Sequence, residues 1–457
     1  MEKEKREKLE RIFERILKDI KPDDLEIKST IAHANEIMSR LKKIVPEDVE
    51  LRVVGSIARS TNLAGDSDID IFMLFSKKYS KEELEKLGLD YAKKIVDKSK
   101  NESYEIKYAE HPYTRLHLND LGINIDIVPA YKISNIEEMG TTVDRSPLHT
   151  EFLNANLTDK QRDEIRVLKF FMKMHNIYGA EVKVKGFSGY LCELLVYTFG
   201  SLINLFEEAS KFKLPLIIIP EERKVLNDES ISKKFNSNFV VIDPVDKNRN
   251  VAAGVSIESL AKFVLLSRKV IEEPKLELFY GKSFSSNEAT KLLKRFEEES
   301  KLQPVLISLK VPDKSTDIIW PQLNKAGNII ISLLEREGIK PYIFNIWLQD
   351  KQGFLIYFFP KELSSAKLVK GPNVFAGQYS SEFLKKHKNA LGILISGQEI
   401  YAIEKREELS KILHNIIRRK ELNSSEDIKM KNSKILMNIP RKYAEKAWIA
   451  VIEKTSL

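Results

Sequence analysis

Apolar residues recur at helical spacing along the first 44 residues. Leu9, Ile12, Phe13 and Ile16 mark one helix, Pro22 ends it, and Ala32, Ile37, Met38 and Leu41 mark a second. The period then shortens. Glu50–Val54, Ile69–Phe75 and Ile123–Val128 read as strands, with a helix over Lys81–Lys98 and a further strand around Tyr104–Ala109. Helices alternating with short apolar strands predict a small mixed-sheet α/β domain over residues 1–140.

The next stretch, residues 141–273, is mostly helical by pattern. Gln161–Asn176 places Ile165, Leu168, Phe171 and Met172 on one side, and Gly189–Phe206 and Ile257–Ile271 read as two more apolar helices. Leu214–Ile219 and Phe239–Ile242 are short strand-like runs. Residues 274–457 change character again: Val305–Val311, Asp317–Glu337, Tyr342–Leu348 and Phe354–Phe359 predict a βαββ unit, the kind found in ferredoxin-like and RNA-recognition folds. The fold class is therefore multidomain, α/β followed by α+β, with a helical domain at the centre.

Composition adds the partner. The chain has 457 residues, 42% of them hydrophobic, which is more than one ordinary domain needs. The formal net charge is +8, and the last 54 residues alone hold 13 Lys/Arg against 8 Asp/Glu. A basic balance favours a polyanion, and nucleic acid is the usual one. A single cysteine, Cys192, excludes a disulfide framework or a Cys-rich zinc site. The charged N-terminus carries no apolar signal core, and no run of about 20 apolar residues could span a bilayer. These features predict a cytoplasmic protein without a membrane partner. Nothing in the pattern sets the oligomeric state, and a homodimer is compatible with it.

The chemistry concentrates in Val53-Val-Gly-Ser-Ile-Ala-Arg-Ser-Thr-Asn-Leu-Ala-Gly-Asp-Ser-Asp-Ile-Asp-Ile-Phe-Met-Leu-Phe75. A strand ends at Gly55-Ser56, and a second strand carries Asp68 and Asp70. Residues two apart on a strand share a face, so the two carboxylates project together while Ile69 and Ile71 face the core. Like charges this close repel unless a cation sits between them. Mg²⁺ takes oxygen ligands and shares them with substrate phosphates. Gly55 lets backbone approach a phosphate, Ser56 adds a hydroxyl donor, and Arg59 can clamp a triphosphate oxygen. A third carboxylate stands in the apolar strand Ile123-Asn-Ile-Asp-Ile-Val-Pro129, where an unpaired Asp126 would be costly. Asp68, Asp70 and Asp126 are the candidate catalytic and metal-holding residues.

This pattern resembles the DNA polymerase β-like nucleotidyltransferase superfamily, and more closely the archaeal, class I CCA-adding enzymes. The resemblance spans at least residues 45–255. It includes Ala109-Glu-His-Pro-Tyr113, Asp144-Arg-Ser-Pro-Leu-His149, Asn176-Ile-Tyr-Gly-Ala-Glu181, Gly186-Phe-Ser-Gly-Tyr-Leu-Cys-Glu193 and Asp243-Pro-Val-Asp-Lys-Asn-Arg-Asn250. It implies a polymerase β-like catalytic domain, a helical central nucleotide-binding domain and a C-terminal α+β body and tail that hold tRNA. It also implies addition of C, C and A to the tRNA 3′ end from CTP and ATP, with Mg²⁺ as cofactor and the acceptor stem and 3′ end as the RNA partner. By the same resemblance Ser56 and Arg59 bind the triphosphate, His149, Lys169 and Tyr178 complete the nucleotide pocket, and Arg249 helps select the base. The family often has Glu where Asp68 stands. The alternative is a poly(A) polymerase or another RNA-tailing nucleotidyltransferase. An RNA-binding protein on a dead scaffold is disfavoured by the three intact carboxylates.

Overall fold

The computed structural model describes residues 2–66, 68–108, 111–281, 286–423, 425 and 427–455. Ser67 of the aspartate loop, and Ala109 and Glu110 of the Ala109–Tyr113 motif, lie outside the described residues. The chain forms two compact units. One comprises Met1–Ala180 with Val184–Gly281, and the other Lys282–Ser456 with Glu181–Lys183.

The first unit opens with helices α1 (Lys3–Ile20) and α2 (Asp24–Lys42), the second capped by Asp23, whose carboxylate accepts from the Glu26 amide. A five-stranded sheet follows, built from β1 (Glu50–Val54), β2 (Ile69–Phe75), β3 (Glu102–Tyr108), β4 (Pro112–Leu118) and β5 (Ile123–Tyr131) in the order β1-β2-β5-β4-β3. The one-turn helix α3 (Gly55–Ala58) joins β1 to the aspartate loop, and α4 (Lys81–Lys94) follows β2 behind a Ser80–Glu83 capping box. Within this sheet β2 and β5 are the parallel pair and the other neighbours run antiparallel. One face buries Ile69, Ile71, Met73, Ile125 and Ile127 with Ala34, Ile37 and Leu41 of α2 and Leu84 and Ala92 of α4. The opposite face carries a smaller apolar strip, Val54, Phe72, Leu74, Val128 and Ala130. Burying the isoleucine face fixes the register, and the register fixes which polar side chains share the other face.

Helices α5 (Ser146–Asn156), α6 (Asp159–Met174), α7 (Gly189–Phe199) and α8 (Leu202–Ala209) continue the unit. Next come β6 (Leu216–Ile219), β7 (Lys224–Leu226), α9 (Glu229–Phe235) and β8 (Phe239–Val241), then α10 (Ile257–Glu272) and α11 (Glu277–Tyr280). Their apolar faces close on α1 around Phe171, Phe187, Phe206, Phe263 and Phe279. The apolar run Gly189–Phe206, expected as one helix, is two. Gly200 ends α7, and Ser201 starts α8 by accepting from the Asn204 amide. Both helices are buried in this core and bend by 92° at the break. Among the described residues no single helix is long and apolar enough to cross a membrane.

The second unit contains α12 (Ser286–Glu299), β9 (Leu302–Lys310), α13 (Thr316–Arg336), β10 (Ile343–Gln349) and β11 (Gln352–Pro360). The predicted βαββ run is present, and β15 (Lys434–Leu436) completes its sheet in the order β10-β11-β9-β15. A separate sheet of β12 (Ala366–Asn373), β13 (Gly392–Ser396) and β14 (Glu399–Lys405) has the order β12-β14-β13 and carries α14 (Gln378–Lys386). Helices α15 (Leu409–Ile417) and α16 (Arg441–Thr455) cover the larger sheet. The sequence reading assigned no element to the smaller sheet, to α14 or to β4 of the first unit.

Candidate active site

One row across the five-stranded sheet carries the polar chemistry. Val54, Asp70, Asp126 and Arg115 are successive register partners on β1, β2, β5 and β4. Direct partners point to one face, so Asp70 and Asp126 stand side by side on the strip opposite the isoleucines. Asp68 sits just before β2 and accepts from Asn124 Nδ2 at 3.1 Å, on the same side as Asp126. The three predicted carboxylates thus project over one patch of sheet.

Their electrostatics follow from that crowding. Burial first, and then the neighbouring charge of Asp126, push the Asp70 carboxyl up to about 7. Asp126 is relieved differently. Arg115 donates to both of its oxygens, Nε at 2.6 Å and Nη2 at 2.7 Å. Sequence reasoning missed Arg115. Its signal was a cation alternating with Thr114 and Leu116 on a strand that had not been recognised.

Gly55 makes the patch possible. It follows Val54 at φ +78°, and an ideal Cβ there would lie 2.1 Å from Asp70 Oδ2. Only a residue without a side chain leaves the carboxylate where it is. The patch opens into a hollow of about 200 Å³ lined by Val54, Gly55, Arg59, Asp70, Phe72, Ser146, His149 and Tyr190. Ser56 lies in the first turn of α3, beside Gly55, and its carbonyl accepts from the Thr61 amide at 2.9 Å.

Arg59 is held from behind. Its Nε donates to Glu193 Oε2 at 2.9 Å and its Nη1 to Thr150 Oγ1 at 3.1 Å. Glu193 is fully buried on α7 and also accepts from Lys169 Nζ at 3.0 Å and from the Thr61 hydroxyl. Burial opposes ionisation of Glu193, but Arg59, Lys169 and Thr61 overcome it and hold the carboxyl at about 2. Lys169, expected in the nucleotide pocket, is 2% exposed, and its remaining bonds go to Thr61 Oγ1 and the Thr61 carbonyl. The structure places it behind Arg59 rather than on the hollow. The Tyr178 hydroxyl approaches Gly189, as does the Lys169 ammonium; an ideal Cβ on Gly189 would lie 3.1 and 3.6 Å from them. Glu193 carried a legible signal, a lone carboxylate on an otherwise apolar helix.

A second buried carboxylate organises the opposite wall. Asp243 accepts from His149 Nε2 and from Arg249 Nη1, both at 2.8 Å, and from the Tyr190 hydroxyl at 3.1 Å. Burial disfavours its charge, yet the bonds from His149, the Val245 amide and Arg249 keep it ionised far below the usual carboxylate range. His149 stacks on Tyr190 with ring centroids 4.0 Å apart, and burial lowers its basicity. Arg249 is the more exposed member of this group, with 32% of its side chain accessible. Tyr190 lines the hollow, stacked on His149 and bonded to Asp243.

The donors suit a divalent ion. Asp68, Asp70 and Asp126 offer only hard carboxylate oxygens, and the raised Asp70 value reflects burial first and like-charge crowding second, both of which a dication relieves. Among the described residues the three are not drawn together into a preformed ligand cluster, and Arg115 occupies Asp126.

Family models match three consecutive regions: a nucleotidyltransferase domain over residues 34–149, a tRNA nucleotidyltransferase second domain over 163–280, and a CCA-adding enzyme C-terminal domain over 302–438. The CCA-adding enzyme of Methanocaldococcus jannaschii is 37% identical over 411 residues, covering 87% of this chain and 88% of its own. This chain belongs to the CCA-adding enzyme family. The Archaeoglobus fulgidus member is 36% identical over 83% of each chain, and that of Thermococcus gammatolerans 31% identical over 96% of this chain and 97% of its own. The fold is the polymerase β-like nucleotidyltransferase fold, and nucleotidyltransferases of this fold use divalent metal ions. A Cid1 poly(U) polymerase structure aligns at TM-score 0.48 and 15% identity over 60% of this chain and 98% of its own, too loose a likeness to assign residues.

Proposed function

We propose that this CCA-adding family member builds C, C and A onto the 3′ end of tRNA from CTP and ATP without a nucleic-acid template. The observation that carries the reading is the match to CCA-adding enzymes along most of the chain, including their C-terminal domain. The reaction joins the tRNA 3′ oxygen to the α-phosphorus of the incoming nucleotide and releases pyrophosphate. Asp70 and Asp126, with Asp68 at the rim, would hold Mg²⁺, which supplies charge neutralisation at the triphosphate and a more acidic 3′ hydroxyl. Gly55 keeps the backbone clear beside Asp70. Ser56 donates its hydroxyl to a phosphate oxygen. Arg59, pinned by Glu193 and Thr150, presents its remaining N–H groups to the triphosphate at no reorganisation cost.

Lys169 and Tyr178 act in this reading as the support of that wall. Lys169 shares Glu193 with Arg59 and so sets the arginine's position and field. His149 and Tyr190 form a flat surface beside the hollow for the base, and Arg249, fixed by Asp243, offers N–H groups to its edge. Cytosine and adenine present related donor–acceptor pairs that uracil lacks, so one such edge can admit both. The basic second unit would hold the acceptor stem by phosphates and shape. In this reading the enzyme works in the cytoplasm, where its tRNA substrate is used.

The test is incubation with tRNA ending before CCA, Mg²⁺ and each labelled nucleotide separately. Incorporation of CTP onto that end, and of ATP only after two C residues, is expected. Long adenylate tails from ATP alone would replace this reading with a poly(A) polymerase.

A further inference from the structure

Two rows of the five-stranded sheet each deal with one carboxylate of the site, and they do so by different chemistry. In one row Arg115 of β4 faces Asp126 of β5 and brings a full positive charge to both of its oxygens. The next row on the same face pairs His117 of β4 with Asn124 of β5. Direct partners share a face, and so do residues two apart on a strand, so His117 and Asn124 stand on the carboxylate side of the sheet. Asp68 has no place in this ladder. It precedes β2, whose pairing with β5 begins at Ile69, and it is exposed. Left alone, such a side chain spreads over several staggered rotamers.

An arm of three side chains reaches it across the sheet. Asn124 Nδ2 donates to Asp68 Oδ1 at 3.1 Å, and Asn124 Oδ1 lies 2.8 Å from His117 Nδ1. His117 Nε2 lies 3.3 Å from Oε1 of Glu105, which stands on β3 as the register partner of Arg115. Donor and acceptor roles fix how the arm reads. An ionised carboxylate only accepts, so Asn124 turns its amino group to Asp68 and its carbonyl to His117, and His117 carries a proton on Nδ1. The imidazole thereby sets which end of the amide faces the carboxylate. Asn124 takes one oxygen of Asp68 and adds no charge, so it aims the carboxylate without neutralising it. Arg115 neutralises Asp126 as it holds it.

We propose that Asn124, oriented by His117, is a positioning residue that holds Asp68 ready for a dication. The inference rests on the metal-holding role of Asp68. An outer partner of this kind orders a ligand's oxygens before the ion arrives, and its removal typically lowers metal affinity about 10–100-fold. The amide does this for Asp68 at no cost in negative charge. His117 touches no carboxylate of the metal set and acts only through Asn124.

The test is metal binding itself. Mn²⁺, which takes the same hard oxygen ligands as Mg²⁺, is titrated into the full chain without nucleotide, and the free ion is read by electron paramagnetic resonance. Asn124→Leu, close to isosteric, should weaken Mn²⁺ binding by about tenfold or more, and His117→Phe should weaken it in the same direction. His117→Asn keeps a donor near the Nδ1 position and should stay within about threefold of the wild type. Asn124→Leu combined with His117→Phe should bind no more weakly than Asn124→Leu alone, because the histidine has no effect once the amide is gone. Circular dichroism and the unfolding midpoint show whether each variant is folded; Asn124→Ala serves in place of Asn124→Leu if that one is not. Undiminished binding by the folded Asn124 variant, beside weakened binding by Asp68→Asn, overturns the proposal and leaves the metal role of Asp68 standing. Losses that multiply in the double variant give His117 a separate effect and overturn the arm. Asp68→Asn binding as tightly as the wild type would remove Asp68 from the metal site and the proposal with it.

Discussion

Replacing Gly55 by alanine tests the link between backbone and carboxylate geometry. The added Cβ would lie 2.1 Å from Asp70 Oδ2 and 3.1 Å from Asp70 Cγ. Real contacts do not fall below 3.0 Å, so the carboxylate has to withdraw by roughly 1 Å. A misplacement of that size costs on the order of 10²-fold in rate at a site whose work is positioning. The φ of +78° adds backbone strain of about 1–2 kcal/mol for any residue with a side chain. Gly65→Ala separates the two effects: its φ is +73°, but nothing lies within 4 Å of its Cβ position. Initial rates of labelled CTP incorporation at saturating nucleotide, with thermal unfolding in parallel, read both. Gly55→Ala should lose about 100-fold in rate, whereas Gly65→Ala should lose similar stability and keep its rate within a few-fold. Equal rates for the two variants would refute the reasoning, because strain alone would then explain everything.

Four further outcomes follow from the buried charges. Glu193→Ala should destabilise the first unit by about 3–5 kcal/mol in chemical unfolding, since Arg59 and Lys169 keep their charges without their shared partner. The Glu193 carboxyl lies near 2 when folded, below its ordinary 4.5, so its stabilisation is complete above pH 4.5 and fades as pH falls towards 2. Glu193→Gln should flatten the pH dependence of unfolding free energy in that window, and an unchanged slope would show that the network is not ionic. Arg115→Ala frees both oxygens of Asp126, so added Mg²⁺ should raise its unfolding temperature more than it raises that of the wild type; an equal gain would show that the guanidinium does not compete with the ion. Arg249→Ala should admit UTP by about 1–3 kcal/mol in four-nucleotide competition while the fold survives on the His149 and Tyr190 bonds to Asp243; unaltered selectivity removes Arg249 from base choice.

The carboxylate face was legible because period-2 alternation leaves little choice. Once Ile69, Ile71, Ile125 and Ile127 go inward, Asp70 and Asp126 share the other face, and parallel pairing of β2 with β5 puts them in one row. The partners of those charges were not legible, because they are set by tertiary packing between distant segments. Arg115 reaches Asp126 across a strand pair, Glu193 reaches Arg59 from 134 residues away, and Asp243 collects His149, Tyr190 and Arg249 from three elements. Lys169, which the resemblance implies for the nucleotide pocket, bonds Glu193 and Thr61 through its ammonium, a pairing that no local pattern announces. The α7–α8 break was hidden because apolar residues continue straight through Gly200-Ser201. The small sheet of the second unit was hidden because its outer strands β12 and β13 are half exposed and carry no clean alternation.

The central claim is most directly tested by reading the product itself. A tRNA transcript ending before CCA is incubated with the full chain, Mg²⁺ and all four nucleotides together, and the intact RNA is weighed by mass spectrometry over time. The account predicts discrete gains of one C, then a second C, then one A, with growth stopping there. An adenylate ladder, incorporation of U or G, or growth past the third residue would contradict it.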